Sequence, residues 1–124
     1  MAGTLVANTI NTDTGLFSTN NAYSGIAKAW VSWTGGSTPA IQNSFNVSSI
    51  TRNGTGDFSI NFSTAMPNAN YVIAGSCQQA LNNYGSMIGF PYQAVATTSS
   101  ARISTSYNAF TYDASYASVA VFGS

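Results

Sequence analysis

From Tyr23 onward, apolar positions recur with a period of two, and clusters of Gly, Pro, Asn and Ser interrupt them at short intervals. In Tyr23–Trp33 one parity carries Ile26, Lys28, Trp30 and Ser32, and the other carries Ala27, Ala29, Val31 and Trp33. Apolar residues on both parities predict a strand covered on two sides. Gly35-Gly36-Ser37-Thr38-Pro39 ends it, and a second strand is expected over Ala40–Thr51. In Asp57–Thr64, Phe58, Ile60 and Phe62 alternate with Ser59, Asn61 and Ser63, the pattern of a half-buried strand. Between these two lies Arg52-Asn53-Gly54-Thr55-Gly56, and Asn53-Gly54 there is a strong hairpin signal because both residues tolerate positive φ.

Further strands are expected at Tyr71–Gln78, Ser86–Tyr92, Ala101–Tyr107 and Ser115–Phe122, with a Gln-, Asn- and Tyr-rich loop over Gln79–Gly85. No stretch shows a capped helical period. About seven short strands separated by frequent turns predict an all-β chain, an antiparallel β-sandwich of jelly-roll-like form, over residues 22–124. Residues 1–21 read as an extended N-terminal arm. Leu5–Ile10 could form one short strand there, ended by the turn cluster Asn11–Gly15, and Leu16-Phe17 is an isolated apolar pair. An arm of this kind builds no core of its own and must lie on the main domain or on a neighbour.

Composition adds one unusual feature. Of 124 residues, 44% are hydrophobic but only 5% are charged, namely Lys28, Arg52, Arg102, Asp13, Asp57 and Asp113. Ser, Thr and Asn, about a third of the chain, must supply most of the wet surface. Three scattered cations cannot neutralise a nucleic-acid backbone, so no nucleic-acid partner is expected. Anionic membranes are disfavoured for the same reason, and no apolar run is long enough for a helical membrane span. Met1–Ile10 lacks the charged start and apolar stretch of a secretory signal, and the lone Cys77 fits synthesis in a reducing compartment. Zero net charge with 13% aromatic residues suits an assembled subunit, although a uniformly polar monomer is the alternative.

The catalytic inventory is short. There is no His to serve as a base and no Ser-x-x-Lys spacing around Lys28. Cys77 lies in an expected strand without a neighbouring cation, which reads as an inert buried thiol. Asp13, Asp57 and Asp113 each sit in turn-like company. One Cys and no His leave no transition-metal site, and the glycine pairs lack phosphate-loop context. We therefore expect no enzyme activity, no cofactor and no metal.

Two segments are more specific than composition. Ile26-Ala27-Lys28-Ala29-Trp30-Val31-Ser32-Trp33, followed by Ser44–Phe58 and by Ile60–Tyr71 with its Thr64-Ala65-Met66-Pro67-Asn68-Ala69-Asn70-Tyr71 turn, resembles a β-sandwich module of tail-fibre and other virion surface proteins of tailed bacteriophages. The resemblance is carried best by residues 26–75 and more loosely by 86–124, including Ala117-Ser118-Val119-Ala120-Val121-Phe122-Gly123. It implies a bacteriophage structural protein made in the host bacterial cytoplasm and exposed on the virion surface. It implies further a homotrimer of tail-fibre or tail-tip type, in contact with other virion proteins and able to bind a host receptor glycan. Such modules commonly end a long chain, whereas Met1 here opens on a short arm, which raises the alternative of a capsid head-decoration (cement) protein. A carbohydrate-binding module is the alternative of another class.

Two residue groups are candidates. Asn82, Asn83 and Tyr84, with Tyr107, Tyr112, Asp113 and Tyr116, combine Tyr and Asn in turn-rich sequence and could contact a glycan, or could simply finish strands. Leu5, Ile10, Phe17, Trp30 and Trp33 are candidates for a subunit interface. The two tryptophans fall on opposite parities, so one is expected in the core and the other at an interface or exposed as a stacking platform for a sugar.

Overall fold

A computed structural model of the chain describes residues 3–4, 6, 9–12, 15–18, 23–78, 86–91, 93–108 and 110–123, with only the backbone described for 9–12 and 15–18. In chain order the strands are β1 (Thr9–Thr12), β2 (Gly15–Ser18), β3 (Ala29–Thr34), β4 (Ala40–Phe45), β5 (Val47–Gly54) and β6 (Asp57–Phe62). They continue with β7 (Val72–Gln78), β8 (Ser86–Gly89), β9 (Ser100–Tyr107), β10 (Phe110–Thr111) and β11 (Tyr116–Phe122). Two antiparallel sheets pack face to face, as expected of a β-sandwich. One has the order β4-β3-β11-β7. In the other, β5, β6 and β9 run side by side, and β8 and β10 both pair with the far end of β9. β11 is thus inserted between β3 and β7.

The core follows from alternation. Ala29, Val31 and Trp33 of β3, together with Ala117, Val119 and Val121 of β11, face Phe58, Ile60 and Phe62 of β6 and Ala101 and Ile103 of β9. Trp33 is completely buried and meets Phe58 edge-to-face, with ring centroids 5.9 Å apart. Phe62 and Tyr71 form a second edge-to-face pair at 5.9 Å. Such pairs add about 0.5–1.5 kcal/mol beyond the area they bury. The expectation that Trp33 serves an interface is therefore corrected. Its ring is large and apolar, its parity points between the sheets, and it has no surface to offer a partner.

The expected Ala40–Thr51 strand is really two strands in two sheets. Asn46 sits between them with φ 54°, a left-handed conformation that Asn adopts more readily than most residues. Its amide nitrogen donates to the carbonyls of Lys28 and Thr64, each at 3.1 Å, while its Oδ1 accepts from the Thr64 N–H at 2.7 Å. This clamp holds the corner where the chain leaves one sheet for the other. The expected Tyr23–Trp33 strand is also shorter, because residues 23–25 form a helical turn and the ladder begins at Ala29. Lys28 is spent on that turn, donating to the Tyr23 carbonyl with its ammonium 3.7 Å from the centre of the Tyr23 ring.

The hairpin of β5 and β6 is present, but its turn is shifted. Gly54 pairs with Asp57, leaving Thr55-Gly56 as the two-residue loop, and of these only Gly56 has positive φ, at 65°. Asn53 lies on the strand and bonds Ser59 Oγ at 2.8 Å. The arm holds a strand pair: β1 and β2 form an antiparallel ladder of their own, with Ile10 opposite Phe17 in register.

Candidate functional site

The two outer faces of the sandwich differ in chemistry. On the five-stranded sheet the outward side chains bond one another. Asn61 donates to Ser49 at 3.0 Å and to Thr51 at 2.9 Å, and Arg102 forms a bidentate pair with Asp57 at 2.9 and 2.5 Å. Across β5, β6 and β9 that face is a polar network, while Met87 of β8 stands exposed at its edge. At the β5–β6 turn, Arg52 grips both oxygens of Asp113 at 2.9 and 2.8 Å, and Asp113 Oδ1 also accepts the Gly56 N–H at 3.0 Å. The guanidinium partners hold both Asp57 and Asp113 below the ordinary carboxylate range.

On the four-stranded sheet, register brings outward residues into rows that cross all four strands. One row is Phe45, Trp30, Ala120 and Ala74; the next is Asn43, Ser32, Ser118 and Ser76; a third contains Thr34, Tyr116 and Gln78. Val72 and Phe122 pair below the first row. None of these residues is charged. Trp30 is 36% exposed, Tyr116 42%, Phe45 54% and Val72 65%. Beside Trp30 the small residues Ala74, Gly75, Ser118 and Ala120 leave a shallow trough of about 370 Å³, with Ser32 on its wall. Its side-chain hydroxyls are those of Ser32 and Ser118, and Ser118 bonds the neighbouring Ser76 at 3.2 Å.

An indole wall above a floor of methyl groups and hydroxyls can stack an apolar ring face and exchange hydrogen bonds with hydroxyl groups. It offers no ion for a phosphate or carboxylate. A second cleft, about 140 Å³ between Ile73, Ile88, Phe90 and Ile103, is lined by apolar side chains and has no polar side chain to orient a ligand.

The candidate residues from the sequence are separated by the fold. Asn82, Asn83, Tyr84 and Leu5 lie outside the described residues. Tyr112 is half-buried against the core, its phenol 3.7 Å from Cys77 Sγ, and Asp113 is committed to Arg52 and Gly56. Burial pushes both the Tyr112 phenol and the Cys77 thiol upward, so each keeps its proton at neutral pH. Tyr107 is half-buried at the end of β9, opposite Ser86. Among the described members of this group, only Tyr116 stands on the outer face of the four-stranded sheet, two register rows from Trp30. Ser32, Ala74, Ser76, Ser118 and Ala120 were missed. The available signal was strand parity, because Ser32 shares the parity of Trp30, Ala74 and Ser76 that of Val72, and Ser118 and Ala120 that of Tyr116, and small residues at such positions leave room beside an aromatic one.

Comparison of the chain with protein-family models, with curated proteins and with solved structures returns no match.

Proposed function

We propose that this chain is a non-enzymatic structural subunit of a bacteriophage virion, of tail-fibre or tail-tip type, that assembles as a homotrimer and binds a neutral host-surface glycan. The observation that carries the glycan reading is the uncharged outer face of the four-stranded sheet, with Trp30 standing beside a trough of small residues edged by the Ser32 and Ser118 hydroxyls. Stacking on indole supplies affinity for a pyranose ring, and Ser32, Ser76 and Ser118 supply groups that can donate to or accept from its hydroxyls. The virion assignment is supported by the resemblance of residues 26–75.

The test is titration of the purified protein with neutral and acidic surface polysaccharides of candidate host bacteria, read by tryptophan fluorescence and calorimetry. Trp33 is buried, so a ligand-induced change reports Trp30. A neutral glycan should bind with an affinity that varies less than about twofold between about 0.05 and 0.5 M salt. Trp30→Ala should abolish that binding and the adsorption of the particle, with the fold retained. Binding that survives Trp30→Ala, or that collapses with salt, would overturn the site. A particle that adsorbs normally without the protein but loses capsid integrity would instead establish the head-decoration alternative.

A further inference from the structure

We propose that the β1–β2 hairpin of one subunit adds as a pair of strands to the free edge of β7 in a second copy of the chain. This rests on the self-association in the reading above and is independent of glycan binding.

Two observations meet here. The first is the edge. β7 pairs with β11 in unbroken register over all seven of its residues, and among the described residues no strand pairs with its other side. Proteins usually blunt such edges with charges, prolines, bulges or short strands. The other edges show these devices: β4 and β5 carry register shifts, β5 also carries Arg52, β8 has four residues and β10 has two. β7 reads Val-Ile-Ala-Gly-Ser-Cys-Gln, with neither charge nor proline.

The direction of its backbone groups follows from two bonds. The Gln78 carbonyl accepts from Ser115, so it points toward β11, and the Val121 carbonyl accepts from Lys28, so it points toward β3. Alternation then aims Val72, Ala74, Ser76 and Gln78 at β11, and turns the N–H and C=O groups of Ile73, Gly75 and Cys77 outward.

The second observation is the hairpin. β1 and β2 form a two-stranded sheet that joins neither sheet of the sandwich. An isolated two-stranded hairpin is at best marginally stable in water, and a third strand is what it lacks. Its strands, Thr-Ile-Asn-Thr and Gly-Leu-Phe-Ser, are as free of charge as β7, so pairing strands no ion. Among the described residues of a single chain the two are not paired. Exchange between copies satisfies both, and repetition around an axis gives a closed head-to-tail ring.

The experiment is residue-resolved amide hydrogen exchange on the full chain and on the full-length Phe17→Pro variant, with mass by light scattering. Proline there removes a ladder donor from the hairpin and leaves the sandwich untouched. The full chain should be oligomeric, with the Ile73, Gly75 and Cys77 amides slowed at least about 100-fold relative to the variant. In Phe17→Pro these three should exchange fast and the mass should fall, while Ala74 and Ser76, bonded to β11, stay slow and report an intact sheet. An oligomer in which the three amides exchange fast, or stay slow in Phe17→Pro, overturns this inference and leaves self-association standing. A monomer with slow amides means the hairpin folds onto its own chain, which also overturns it. A monomer with fast amides removes both this inference and the self-association beneath it.

Discussion

Gly56 is the position where one methyl group should do the most damage. It turns the β5–β6 hairpin at φ 65°, where an L-residue pays about 1–2 kcal/mol. A Cβ there would sit 2.6 Å from the Thr105 carbonyl oxygen, 2.7 Å from the Tyr112 nitrogen and 2.8 Å from the Tyr112 oxygen. All three are backbone atoms, and they belong to one bonded cluster. Tyr112 N–H donates to the Thr105 carbonyl at 3.1 Å, Thr105 N–H donates to the Gly56 carbonyl at 2.8 Å, and the buried Thr105 hydroxyl donates to the Tyr112 carbonyl at 2.5 Å. Making room would pull at least one of these apart, at about 1–3 kcal/mol for each buried group left unsatisfied. Gly56→Ala should therefore cost on the order of 2–5 kcal/mol, against a total stability of about 5–15 kcal/mol for a domain of this kind. Gly54, two residues earlier, is the control. Nothing lies within 4 Å of its missing Cβ and its φ is ordinary. Gly54→Ala should leave stability unchanged or raise it by up to about 1 kcal/mol, through the unfolded chain. Urea unfolding followed by tryptophan fluorescence would show the first variant's midpoint lowered by about 1–3 M at unchanged slope. Equal losses at both glycines, or less than about 1 kcal/mol at Gly56, would refute the placement of the turn.

Phe58→Ala removes a fully buried ring that meets Trp33 edge-on and should cost about 3–5 kcal/mol in the same assay. Asp113→Ala should cost about 1–3 kcal/mol because it orphans the Gly56 N–H, whereas Asp113→Asn keeps an acceptor there and should cost under about 1 kcal/mol. Stability should be nearly flat between about pH 5.5 and 8.5, since no His is present. Below that window it should fall, because Asp57 and Asp113 have lowered folded-state values, so their contribution is present above the unfolded carboxylate range and is lost as pH drops through the folded values. Above it, the unfolded chain ionises Cys77 first and Tyr71 and Tyr112 later, while burial holds their folded-state values higher, so stability should fall again. A midpoint within the window that survives Cys77→Ser and N-terminal acetylation would contradict this account.

Period-two alternation was legible wherever one face of a strand is buried and the other wet. That is why Phe58, Ile60 and Phe62 could be placed on one face of a strand from the sequence, and why Trp30 and Trp33 could be assigned to opposite faces. Local pattern could not say which tryptophan faces inward, because both parities of β3 carry apolar residues; the opposing sheet decided it by covering Trp33 with Phe58. Nor could it place the corner at Asn46, since Ala40–Thr51 has one continuous polarity and the break depends on carbonyls of Lys28 and Thr64, 18 residues away on either side. Asn53-Gly54 carries the stronger turn chemistry, yet the turn falls on Thr55-Gly56, where β9 and Tyr112 press closely enough that only glycine fits. The face around Trp30 shows the same division. Its residue types are plain in the sequence, but β11 enters between β3 and β7 only in three dimensions, and that insertion alone sets Ser118 and Ala120 beside Trp30.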